Sequence, residues 1–208
     1  MLKKLTLLFF LTPILASGQD LKFYEVNGTV LTRKQFLKKQ YSALNLSFSF
    51  QEGRTIATRL IKRKNTGLLP AEKLQEIYQA LRTVAGTNLS GKLLIINYDP
   101  GTHPERGLSN TDRSWIRMKL EAYQKSLKQV RNHAQFYIHA ASRPIDGKGI
   151  IDWMPDPEGI IESSFFKHNY PWGSYVIIHP DGSFLTFFRE YHLAVVVKHA
   201  RKMARQKK

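Results

Sequence analysis

The 208-residue chain contains no cysteine. That excludes disulfides, thiol catalysis, Cys-ligated zinc, Cys-bound iron–sulfur clusters and a lipid-modified N-terminal Cys. Acids are also scarce, with 16 Asp+Glu against 32 Lys+Arg and a formal charge of +16. An anionic partner suits that balance, although charge alone does not say which one. There is no low-complexity linker, no internal repeat, and after the N-terminus no apolar run of about 20 residues that could span a bilayer. What is present favours a folded protein: 42% hydrophobic and 12% aromatic residues, enough for one core without covalent staples.

Residues 1–18 have the layout of a secretory signal peptide. Lys3 and Lys4 form a positive start, Leu5 to Leu15 an apolar stretch, and Ala16 and Gly18 are small residues before a cut at Gln19. The apolar stretch is too short for a membrane span. The expectation is an exported protein, periplasmic or secreted, with no transmembrane segment after cleavage. Loss of Lys3 and Lys4 lowers the charge of +16 by two. Export also argues against nucleic acid as a partner, so an envelope or extracellular partner, anionic if charge selects it, is expected.

Residues 19–208 are expected to form a single domain. Val26 to Leu31 surrounds an Asn27-Gly28 turn, and Thr32 suits the N-cap of a short basic helix carrying Phe36 and Leu37. Leu46 to Gln51 alternates as a half-buried strand turned by Glu52-Gly53, whereas Arg54 to Lys64 fits either a second strand or a basic helix. Leu74, Ile77, Leu81 and Val84 predict a helix between Pro70 and Gly86. Lys92 to Tyr98 reads as a fully buried strand, and Thr111 or Asp112 can cap a helix running to about Val130. Gln135 to Ala141 is a second buried strand, and Pro157 to Phe166 a short helix with Asp156 as its cap. Ser174 to Ile178 and Ser183 to Phe188 form a hairpin around Asp181-Gly182, and a last helix starts at about Tyr191.

From Lys92 onward the order is strand, helix, strand, helix, hairpin, helix. Together with Gly91-Lys-Leu-Leu-Ile-Ile-Asn-Tyr98 and Tyr175-Val-Ile-Ile-His-Pro-Asp-Gly-Ser183, this resembles the thioredoxin-like fold superfamily. The resemblance implies an α/β fold: a central mixed sheet flanked by helices over residues 91–208, with residues 19–90 as an N-terminal α+β extension. It also implies Leu94–Asn97 beside Phe136–His139. The family's Cys-x-x-Cys would follow Tyr98, where this chain has Asp99-Pro-Gly-Thr-His-Pro-Glu-Arg-Gly107. The family's cis-proline position falls on Gly173, two residues after Pro171. A degenerate, cysteine-less member cannot exchange disulfides.

Three functions remain open. In the first, a non-redox binding or structural module of the cell envelope uses Asp99, His103 and Arg106 with Tyr170 and Trp172. The loop after a central strand is where α/β folds hold ligands, and Trp172 between Pro171 and Gly173 suits a surface platform. In the second, a hydrolase uses Asp99, His103 and a carboxylate of the 146–162 loop, which holds Asp146, Asp152, Asp156, Glu158 and Glu162. The alternative for those acids is capping, and for the Asp99 loop ordinary turn chemistry. In the third, the C-terminal helix binds a polyanion or the envelope surface through Lys198, Arg201, Lys202 and Arg205; a solvated face is its alternative. The catalytic set is unknown, and neither a cofactor nor a metal is expected. The seven histidines lack ligand spacing, and only a site assembled from distant parts, such as His139 with His168, would use them.

Overall fold

The computed structural model describes residues 21–101, 110–142, 150–167 and 173–206. The expected signal peptide therefore lies outside the described residues, as do His103, Arg106, Asp146, His168, Tyr170, Pro171 and Trp172.

Two mixed sheets and, among the described residues, five α-helices build the chain. The smaller sheet begins with β1 (Leu21–Tyr24) and β2 (Val30–Leu31), joined through the Asn27-Gly28 turn, where Gly28 has a φ of 89°. Thr32 then starts α1 (Arg33–Gln40) with a reciprocal capping box to Gln35, so two otherwise orphaned amides are satisfied at once. Phe36, the one buried residue of α1, packs against Phe23 at 4.9 Å between ring centroids. β3 (Asn45–Glu52) and β4 (Thr55–Lys62) pair antiparallel, which resolves the ambiguity of Arg54 to Lys64 in favour of a strand. The sheet order is β2-β1-β4-β3, with β1 parallel to β4.

Arg63 carries the chain directly into β5 (Lys64–Leu68), the edge of the larger sheet. Its carbonyl accepts from the Phe188 amide, and its guanidinium lies 4.9 Å from the Phe187 ring centroid. The remaining elements follow in chain order. They are α2 (Ala71–Ala85), β6 (Leu93–Asp99), α3 (Asn110–Leu127), β7 (His133–His139) and β8 (Met154–Pro155), then α4 (Ile160–Phe165), β9 (Ser174–Ile178), β10 (Ser183–Phe187) and α5 (Leu193–Met203). The sheet order is β5-β10-β9-β6-β7-β8. β6 runs parallel to β7, pairing Ile96 with Phe136 and Asn97 with Tyr137, so the expected adjacency of these strands is present.

Alternation along the central strand splits the interior into two layers. Leu94, Ile96 and Tyr98 face Leu74, Ile77 and Leu81 of α2 and Ile160, Ile161 and Phe165 of α4. Leu93 and Ile95 face Tyr123 and Leu127 of α3 and Val196, Val197 and Ala200 of α5. Among the described residues no helix is long and apolar enough to cross a membrane.

Among the boundaries that differ from the sequence reading are three helix starts. The helix expected over Pro157 to Phe166 is broken: a 3₁₀ turn occupies Pro157–Gly159, Glu158 and Gly159 take positive φ, and α4 follows. Asp156 does cap it, but its two carboxylate oxygens accept from the amides of Ile161 and Glu162, at 3.0 and 2.8 Å. α5 starts at Leu193 rather than Tyr191, because Tyr191 turns its ring edge-on to Tyr175, 4.7 Å between centroids. α3 starts at Asn110, just before the expected caps.

Candidate functional site

The residues singled out beforehand come together only in part. Asp99 ends β6 and is 1% exposed, and its Oδ1 accepts from the Gly101 amide at 2.7 Å, as an Asx turn does. The entry to β9 lies beside it: Ser174 is in register with Tyr98, and Gly173 sits against the Tyr98 carbonyl. The hydrolase constellation fares worse. Asp156 has both oxygens engaged in capping, and burial raises its pKa against the pull of the Glu162 and Ile161 amides. Asp152 and Glu158 are exposed. No group of three His, Asp or Glu side chains suited to a metal occurs among the described residues.

Among the described residues an apolar cleft lies elsewhere, on the α3/α5 side of the larger sheet. Register sets Lys64, Phe187, Tyr175, Asn97 and Tyr137 in one row across β5, β10, β9, β6 and β7. Trp153 extends that row, edge-on to Tyr137 with centroids 5.6 Å apart. Asn97 is the one amide in this aromatic row and is 1% exposed. Its Oδ1 accepts from the Tyr123 hydroxyl at 3.1 Å and from the Gln135 amide at 3.3 Å. Its Nδ2 donates to the Tyr191 hydroxyl at 2.7 Å. A buried amide is tolerated here because its acceptor and donor ends both find partners.

Above this row opens a cleft of about 700 Å³, a volume in the range of small-molecule sites. Asn97, Tyr123, Tyr137 and Tyr191 supply its polar floor. Apolar walls come from Ile116 and Leu120 of α3, Leu193 and Val197 of α5, and Ile151 with Trp153. Trp115 stands at the mouth, 58% exposed, with the Lys119 ammonium 5.3 Å from its ring centroid. Burial raises the pKa of Tyr123, Tyr137 and Tyr191 above the ordinary phenol value of 10.0, so all three remain protonated at neutral pH.

The same row meets the basic face of α5. The Tyr175 hydroxyl lies 2.6 Å from Nδ1 of His199, and the Phe187 ring packs near that imidazole. Burial first, then Lys64, Lys198 and Lys202, hold the His199 pKa below 6.5. A folded pKa below the unfolded one means the unfolded chain binds more protons, so this contribution to stability is lost as pH falls through 6.5. Urea midpoints at about pH 7.5 and about pH 5 should therefore drop less in His199→Gln than in the parent. Equal drops would show that His199 carries none of the slope.

Sequence reasoning placed the site in the loop after β6 and missed this cleft. Asn97 in an otherwise apolar run was the available signal. No protein-family model, curated protein or solved structure matches the chain.

Proposed function

We propose that the chain is an exported, non-redox binding module of thioredoxin-like build, and that its ligand seat is the cleft over Asn97. The layout of residues 1–18 supports export. The spatial order β7-β6-β9-β10, with β6 parallel to β7 and antiparallel to β9, supports the resemblance in build. Without cysteine the chain itself carries no thiol chemistry. The observation that carries the binding role is the cleft itself: aromatic walls over a buried amide engaged at both its ends, with an exposed tryptophan at the mouth. Apolar concavity with a few convergent polar groups is the usual make-up of a small-molecule site.

The neutral dye N-phenyl-1-naphthylamine tests this reading. It is expected to brighten on binding and to quench Trp115 and Trp153. Ala194→Trp, at an exposed lining position, should fill the cleft and abolish both signals without lowering thermal stability. Unchanged dye binding in that variant would reject the cleft as the seat.

A second reading, contact with an anionic envelope surface, is favoured by Lys64 joining Lys198 and Lys202 around His199. Replacing those three lysines by Gln should lower the salt concentration that elutes the protein from heparin more than replacing Lys34, Lys38 and Lys73 does. Equal losses would assign retention to net charge alone.

A further inference from the structure

We infer that the cleft takes a small aromatic acid, a flat apolar ring body carrying a carboxylate head. This rests on the reading of the cleft as a ligand seat and adds its chemical class. The argument follows the direction of the hydrogen bonds on the floor. Asn97 Oδ1 already accepts from Tyr123 and Gln135, so the Tyr123 proton is engaged. Asn97 Nδ2 donates to the Tyr191 oxygen, which leaves the Tyr191 proton to be given elsewhere. The Tyr137 hydroxyl is shut from solvent beside Gln124 and Gln135, so Tyr137 offers a ligand its ring and not its hydroxyl.

One phenol proton at the floor, that of Tyr191, therefore calls for an acceptor, and a buried donor left without one is costly. Burial holds that phenol protonated, so it acts as a donor. Lys119 adds a cation at the mouth, fixed over Trp115. Glu190 and His192 also line the rim and are exposed like Lys119, so solvent and salt screen the repulsion of Glu190 as they screen the attraction of Lys119, and the floor decides the head group. The body of the ligand is set by the walls. Trp115, Trp153 and Tyr137 present ring surfaces, which favour a flat aromatic partner over a flexible chain.

The test is displacement of N-phenyl-1-naphthylamine by four probes: 2-naphthoate, 2-naphthylmethylammonium, naphthalene and octanoate. Naphthoate is expected to compete about tenfold more tightly than the ammonium probe or naphthalene, the effect of one added hydrogen bond to a charged acceptor. Tyr191→Phe should remove that preference, read as the ratio of naphthoate to naphthalene affinity within the variant so that any change in dye affinity cancels. Equal competition by the acid and the ammonium would overturn the carboxylate assignment with the cleft still a seat. Octanoate matching naphthoate would overturn the flat-ring assignment. Dye binding without displacement by any probe would overturn the acid as ligand, and failure of the dye itself to bind would sink the cleft reading beneath it.

Discussion

Replacing Asn97 by alanine should destabilise the fold by about 3 kcal/mol and change the cleft at the same time. The substitution removes one side chain but leaves three groups without their partner: the Tyr123 hydroxyl, the Gln135 amide and the Tyr191 hydroxyl. Each buried polar group left unsatisfied costs roughly 1–3 kcal/mol, moderated here because the cleft can admit water to Tyr191. Dye affinity should fall as well, since the floor loses the amide that orients Tyr191. Urea unfolding and dye titration of the same preparation check both effects. A variant as stable as the parent would show that the amide is not the organising group of that face.

Replacing Leu94 by alanine should cost about 3–4 kcal/mol and leave the cleft untouched. Leu94 is fully buried and packs on the opposite layer, against α2 and α4. Deleting its branched end opens a cavity that the sheet on one side and two helices on the other cannot readily collapse. At a urea concentration where both proteins remain folded, the dye should bind the variant as it binds the parent. The pair of substitutions thus separates stability from binding, because alternation along β6 sends Leu94 and Asn97 to opposite faces. Loss of dye affinity in Leu94→Ala would mean that the two layers are coupled.

Much of this frame was legible as pattern. The apolar run of β6 and β7, the Asp181-Gly182 hairpin and the stripes of α2 and α5 each follow from local periodicity and turn chemistry. The β5 strand was not legible: Lys64–Leu68 is exposed but for Asn65 and has no alternation of its own, and it is a strand because β10 offers an edge. The cleft escaped for a related reason. Asn97 stands out in the run, yet nothing local says that Tyr137 and Tyr175 lie opposite it, because register is fixed by the whole sheet. The Asp99 loop drew attention by analogy with other α/β folds. The described part of it is a buried turn, whereas the concave surface lies two residues earlier on the same strand face.

The most direct test of the account is to follow the three tryptophan indole N–H resonances while 2-naphthoate is added. The cleft as ligand seat predicts that Trp115 and Trp153 shift together along one saturable curve, and that Ala194→Trp removes both shifts. Shifts that persist in Ala194→Trp, or a saturable response that leaves Trp115 and Trp153 unmoved, would place binding elsewhere and contradict it.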